Sequence, residues 1–211
     1  MITVGHKNDV SLKIKCEERG ILKELSQFFT FAIPGAQYMP SYKRRGWDGS
    51  IRLFNLNTQE LPVGLYNYLA RFCSDRGYEI DGYDPTNKKP DIDSDHIRSF
   101  MDTHLKPSAG GSNIKAHDHQ IEAVRHMINN DRGLLLSPTG SGKSLIIYAL
   151  MRYYLDIISE DKKVLIIVPT TSLVTQMYSD FEEYSENNGW SVVDNCHKVM
   201  AGKDKSHADK R

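Results

Sequence analysis

Between the apolar runs Leu134-Leu135-Leu136 and Leu145-Ile146-Ile147-Tyr148-Ala149-Leu150 stands Ser137-Pro138-Thr139-Gly140-Ser141-Gly142-Lys143-Ser144. A strand, a glycine-containing turn and a helix in that order bring backbone N–H groups together on a phosphate. Gly140 and Gly142 let the backbone turn tightly and approach the ligand closely. Lys143 is placed to reach the β- and γ-phosphates, and the Ser144 hydroxyl to ligate Mg²⁺. The full pattern usually opens on glycine, and Ser137 stands there instead. The catalytically relevant end, Gly142-Lys143-Ser144, is intact. A nucleotide phosphate site is therefore the leading expectation, and an ordinary Gly/Ser turn the bland alternative.

With 211 residues the chain is long enough for one large domain or two small ones. Its 27 basic and 27 acidic residues cancel, so a nucleic-acid partner has to be argued from local charge. Cys16, Cys73 and Cys196 are far apart, with neither a paired framework nor metal-ligand spacing, which suits a reducing, cytoplasmic compartment. Lys7, Asp9, Lys13 and Lys15 interrupt the apolar core a secretory leader would need. No apolar run reaches membrane-spanning length, so no membrane partner is expected.

The expected fold class is α/β: a small α/β domain over 1–90, a linker with a short helix over 91–113, and the N-terminal part of a P-loop domain over 114–211. In the first domain, Val10–Lys15 alternates as a strand, and Glu17–Phe29 carries apolar residues at helical spacing. Residues 38–48 read as irregular, Asp48-Gly49 as a hairpin turn between them and a strand over 50–54. Pro62 to Arg76 reads as a helix closed by Gly77, followed by a short strand over 78–80. Polar residues 81–90 read as a linker, and Ser94 or Asp95 as the cap of a helix reaching Leu105. In the second domain, helices over 118–130, 143–158 and 171–186 alternate with strands over 132–136, 163–168 and 190–193. That alternation predicts a parallel sheet with helices on its faces.

Four further stretches bear on chemistry. Lys43, Arg44, Arg45 and Arg52, against the single acid Asp48, are interleaved with Tyr38, Tyr42 and Trp47. Such residues can neutralise phosphates and stack on bases, although Trp47 also suits a core position. Thr170, Thr171, Ser172 and Gln176 follow the apolar run Val164–Val168 at the carboxyl end of the expected strand, where ligands bind in parallel sheets. The same residues could simply cap the next helix. His117 and His119 form no metal-ligand pattern, whereas the Gln120 amide can bond two positions of a base edge. Asp194-Asn195-Cys196-His197 imitates a catalytic acidic motif, but Asn195 stands where the second acid is required.

The second domain resembles the first RecA-like domain of superfamily 2 helicases. Pro138–Ser144 is similar to helicase motif I, and Pro169-Thr170-Thr171-Ser172-Leu173-Val174-Thr175-Gln176 to motif Ia. Gln120 resembles the adenine-recognising glutamine of that superfamily; Lys115 is the nearest basic candidate for the arginine that usually lies close to it. Over the whole chain the sequence resembles the N-terminal part of the UvsW family of recombination and repair helicases of T4-like phages. Gly46-Trp47-Asp48-Gly49-Ser50-Ile51-Arg52-Leu53, Leu61-Pro62-Val63-Gly64-Leu65 and Ile166-Ile167-Val168-Pro169-Thr170-Thr171 carry that resemblance.

The resemblance implies an ATP-dependent DNA helicase or translocase acting on branched intermediates in recombination, repair and replication, in the host cytoplasm. It implies ATP and Mg²⁺ held by Gln120, Thr139, Gly140, Ser141, Gly142, Lys143 and Ser144, with Lys143 and Ser144 catalytic. DNA, duplex or branched, would meet Lys43, Arg44, Arg45, Trp47 and Arg52, and a tracked single strand would meet Thr170, Thr171 and Gln176. Phage recombination or single-strand-binding proteins are further expected partners. Neither motif II nor arginines of a second RecA-like domain are found, so the 211 residues are expected to be a fragment inactive in ATP hydrolysis. A truncated sheet would expose an edge for self-association. A DNA-binding module with a vestigial loop and a P-loop NTPase of another class remain the alternatives.

Overall fold

The computed structural model describes residues 1–86, 91–130 and 132–200. It is mixed α/β and divides into two compact units, Met1–Lys88 and Lys89–Arg211. Residues 87–90 of the expected linker and residues 201–211 of the expected P-loop domain lie outside the described residues.

The first unit is built on β1 (Ile2–His6), β2 (Ser11–Lys15), α1 (Arg19–Phe28), β3 (Thr30–Ala32), α2 (Pro40–Lys43), β4 (Ser50–Arg52), β5 (Glu60–Pro62), α3 (Tyr66–Arg76) and β6 (Ile80–Gly82). Its main sheet has the order β5-β2-β1-β6; β6 is parallel to β1 and the other pairings are antiparallel. Alternation puts Ile2, Val4, Leu12, Ile14 and Leu61 in one core with Ile21, Leu22 and Leu25 of α1 and Leu69, Phe72 and Cys73 of α3. Burial in that core holds the Cys73 thiol above its ordinary pKa, which makes it a packing residue. The alternation of Val10–Lys15 is realised as β2, with Val10 left exposed before it, and the helical pattern of 17–29 as α1. Pro62 does not start the second helix: it ends β5, which pairs with β2, and a 3₁₀ turn over Val63–Leu65 leads into α3, which Gly77 closes as expected. The strand expected over 78–80 forms two residues later as β6. The pairing of 50–52 departs from expectation. Asp48-Gly49 does not join it to the preceding residues as a hairpin turn; β4 pairs antiparallel with β3, with Phe31 opposite Ile51, and residues 33–49 form the excursion between them. Strand β3 is too short for an alternation to be read from sequence.

The second unit comprises α4 (Ser94–Ser99), β7 (Ser108–Ala109), β8 (Ser112–Asn113), α5 (Asp118–Asn130), α6 (Lys143–Ile157), α7 (Thr171–Ser185) and the single turn α8 (Val192–Asn195). After α4 the chain continues in π-helical geometry over Phe100–Leu105. The segment expected to be a linker belongs to this core: Ile97, Met101 and Leu105 pack with Ile121, Val124, Ile128, Ile146, Tyr148, Ala149 and Phe181. Asn129 exchanges hydrogen bonds with the Ile92 backbone at 2.9 and 3.0 Å, and Ser108 donates to the Glu183 carbonyl at 2.6 Å. Asp93, one residue before the two expected caps, accepts from the His96 N–H at 2.7 Å. None of the described helices is long and apolar enough to cross a membrane.

The parallel sheet expected here is not formed among the described residues. Residues 132–136 and 163–168 follow no strand ladder, and 190–193 give way to α8. Val164 and Ile166 rest on the helical core while Leu165 and Ile167 are 79% and 83% exposed; Leu134 and Leu136 are 82% and 85% exposed. These runs have the apolar character of central parallel strands, but a strand exists only through neighbours that pair with it. At 190–193 local polar contacts win. Asn188 accepts from the Trp190 N–H at 3.0 Å, and Ser191 caps α8 by accepting from the Asp194 N–H at 3.2 Å.

Candidate functional site

The geometry of the Ser137–Ser144 loop is set by the start of α6. Gly142 precedes its first residue, and both Gly140 (φ 82°) and Gly142 (φ 77°) are left-handed. The N–H groups of Gly142, Lys143 and Ser144 bond to no acceptor among the described residues, as the first turn of a helix requires. Positive φ at alternate positions and a helix start make a concave array of donors with the positive end of the helix dipole behind it. The Lys143 ammonium donates to the carbonyls of Pro138 (2.7 Å) and Ser137 (3.2 Å), which holds it over the loop. The Ser141 hydroxyl donates to the Pro138 carbonyl at 2.8 Å and pairs with the Ser137 hydroxyl. Ser137, where a glycine is usual, therefore braces the loop.

Gln120 lies beside this loop, on the first turn of α5. It is 4% exposed, donates from Nε2 to the Ser141 carbonyl at 3.0 Å, and accepts at Oε1 from the His117 N–H at 2.9 Å. A Cβ on Gly142 would stand 2.2 Å from that Nε2 and would displace the Gln120 amide, while the left-handed φ favours glycine at this position. Asp118 is drawn away: its carboxylate pairs with Arg98 at 2.9 Å, and that hydrogen bond holds its pKa below the ordinary aspartate value. The donor set suits a polyphosphate, with Ser144 and Ser141 as the loop hydroxyls nearest in sequence to Lys143 and Thr139 two residues further on. Among the described residues no group of three or more His, Cys, Asp or Glu comes together.

Thr170 is the N-cap of α7, its hydroxyl accepting from the Leu173 N–H at 3.3 Å. Thr171 accepts through its carbonyl from the Thr175 hydroxyl at 3.2 Å, and Gln176 is exposed on the same helix. Capping is thus an observed role of Thr170, and Thr171 and Gln176 face solvent.

Of the four candidate DNA-binding cations, Lys43, Arg44 and Arg45 lie on the β3–β4 excursion and Arg52 on β4. Lys43 ends α2, Arg44 and Arg45 follow it, and all three are exposed. Arg45 adopts φ 56°, bending the chain sharply after α2. Trp47 is half-buried and donates Nε1–H to the Ser50 carbonyl at 2.8 Å. Tyr38 and Tyr42 are exposed. Arg52 forms an ion pair with Asp48, whose pKa is held below its ordinary value by the guanidinium hydrogen bond and then by the Ser50 N–H. One of the four expected cations is therefore neutralised within the ribbon.

Residues 2–82 match the family described as DNA helicase UvsW, N-terminal, and residues 113–211 match the family of the type III restriction enzyme res subunit. The ATP-dependent DNA helicase uvsW of Enterobacteria phage T4 is 38% identical over 180 residues, which is 85% of this chain. The chain matches the N-terminal region of T4 UvsW, a superfamily 2 helicase. The crystal structure of the UvsW helicase from bacteriophage T4 superimposes with a TM-score of 0.75 at 37% identity, covering 87% of this chain and 63% of that one. A second T4 UvsW structure gives 0.76 at 37% identity, over 87% of this chain and 36% of that one. The chain spans 35% of the length of the curated T4 relative.

The structure brings Gln120, Ser141, Gly142 and Lys143 together in one unit; in the other, Lys43, Arg45 and Trp47 line one surface pocket with Asp48, while Arg44 and Arg52 are not among its lining residues and Arg52 is held by Asp48. Sequence reading weighed His119 only as a metal ligand and set it aside; in the structure its Nε2 lies 3.1 Å from the Ser141 carbonyl. The contact joins α5 to a loop residue 22 positions further along the chain, and no spacing rule links them.

Proposed function

We propose that this chain is the nucleotide-binding and DNA-engaging N-terminal part of an ATP-dependent DNA helicase or translocase that acts on branched DNA in phage recombination, repair and replication. The unsatisfied donor array at Gly142–Ser144, with Lys143 beside it, carries the reading. In this reading the loop N–H groups orient the polyphosphate, Lys143 exchanges its two carbonyl partners for phosphate oxygens, and Gln120 lies at the adenine. Bound ATP-Mg supplies the phosphoryl group for hydrolysis; Ser144 offers the metal a hydroxyl. Thr171 and Gln176 contact a single strand, while Lys43, Arg44 and Arg45 with Tyr38 and Tyr42 grip duplex or branched DNA. In the chain of residues 1–211 alone, Asp194 lies on α8 beside Asn195 and supplies no acidic pair, so nucleotide binds weakly and turns over negligibly.

The test is binding of the chain to labelled single-stranded, duplex and branched DNA over a salt series, with and without neutralisation of Lys43, Arg44 and Arg45. Branched or duplex binding that falls steeply with salt, and whose slope drops by about 2–3 in the triple variant, is expected. Unchanged binding by that variant refutes the ribbon as the DNA anchor. In a parallel titration with ATP-Mg, Lys143→Ala is expected to remove nucleotide binding while leaving the melting temperature in place.

A further inference from the structure

The Ser141 carbonyl accepts two side-chain hydrogen bonds from the start of α5, from Gln120 Nε2 at 3.0 Å and from His119 Nε2 at 3.1 Å. A carbonyl has no proton to give, so His119 must carry one on Nε2. Its ring lies nearly parallel to that of His117, at 11° and 5.5 Å between centroids, which fixes the plane in which that proton points. The chain has no cis peptide bond among the described residues. In a trans peptide the C=O and the following N–H point in opposite directions. Turning the Ser141 oxygen toward α5 therefore turns the Gly142 N–H away from α5, and this N–H is one of the three left without an acceptor among the described residues.

We propose that His119 is a positioning residue of the phosphate loop: with Gln120 it holds the Ser141–Gly142 peptide so that the Gly142 N–H is presented to a bound phosphate. The inference rests on the reading of residues 137–144 as a nucleotide site. Gln120 approaches from the buried side and His119 from the solvent side. Either bond alone would leave the carbonyl free to swing about the other, and left-handed Gly142 offers little resistance to a peptide rotation. The two bonds together make the donor array rigid before ligand arrives, which reduces the ordering cost of binding.

The experiment is calorimetric titration of the whole chain, as wild type, His119→Ala, His119→Gln and Lys143→Ala, with Mg-tripolyphosphate and with ATP-Mg. Loss of one such hydrogen bond is expected to weaken both ligands about three- to tenfold in His119→Ala. His119→Gln, whose amide also donates, should recover much of the loss. In ¹H–¹⁵N spectra without ligand, the Gly142 amide should shift in His119→Ala and return toward its wild-type position in His119→Gln. Wild-type tripolyphosphate affinity in His119→Ala overturns the proposal, as does a loss confined to ATP, which would assign His119 to the base. Absence of binding by the wild type, or equal binding by Lys143→Ala, overturns the nucleotide-site reading itself and the proposal with it.

Discussion

Asp48 shows how one side chain sets the charge of a surface. Its hydrogen bond from Arg52 lowers its pKa, so both partners are ionised at neutral pH and the guanidinium is engaged. Asp48→Asn should release Arg52, raise DNA affinity at low salt, and steepen the salt dependence by about 0.9 in slope; fluorescence anisotropy across a salt series measures both. A carboxylate with a depressed folded-state pKa stabilises above its unfolded pKa, and that contribution disappears as pH falls through the folded value. The pair therefore persists at neutral pH and is lost only in acid below the ordinary aspartate range. Because both groups are solvent-exposed, its effect on stability should be small. Gly49 is the stricter requirement. At φ 80° with an added Cβ 2.9 Å from the Ala36 Cβ, Gly49→Ala should cost about 1–3 kcal/mol and loosen the β3–β4 excursion, visible as a lowered melting temperature.

At the scale of elements, the helices were legible and the strands of the second unit were not. Helices 118–130, 143–157 and 171–185 follow from apolar spacing, because a helix satisfies its own backbone and needs the rest of the chain only to cover its stripe. Residues 134–136 and 164–168 depend on pairing partners, so apolar character alone could not make them strands. Helix α7 offers a test that separates capping from nucleic-acid contact at Thr170. Thr170→Ala should cost about 1 kcal/mol by denaturant unfolding. Thr170→Asp retains an acceptor for the Leu173 N–H and should keep most of the stability. If this position meets a phosphodiester, the same variant should weaken single-strand binding by charge repulsion.

Across the whole molecule, two separate cores predict two separable unfolding events. Phe72→Ala, fully buried in the first, should lower that unit's transition by about 3–5 kcal/mol and leave the second in place; Met101→Ala should do the reverse at about 2–5 kcal/mol. Differential scanning calorimetry of the chain and both variants would resolve this. Leu134, Leu136, Leu165 and Ile167 leave apolar side chains and extended backbone open in the second unit. Such segments favour association. The chain should self-associate with rising concentration in sedimentation velocity, and Leu165→Lys with Ile167→Lys should shift it toward monomer.

The sequence alone determined the glycine-containing turn at 137–144, its lysine, the helical periods and the basic run 43–45. Each is a local statement: a φ that only glycine adopts readily, a charge, or a spacing that one helix realises by itself. Tertiary structure decided what each residue faces. It joined β4 to β3 across the excursion, drew Ile97, Met101 and Leu105 into the second core, and left 164–168 without a strand partner among the described residues. It also turned Gln120 and His119 onto one carbonyl. Those outcomes depend on contacts between segments distant in the chain, where hydrogen-bond partners and buried area are set by geometry that no local pattern encodes.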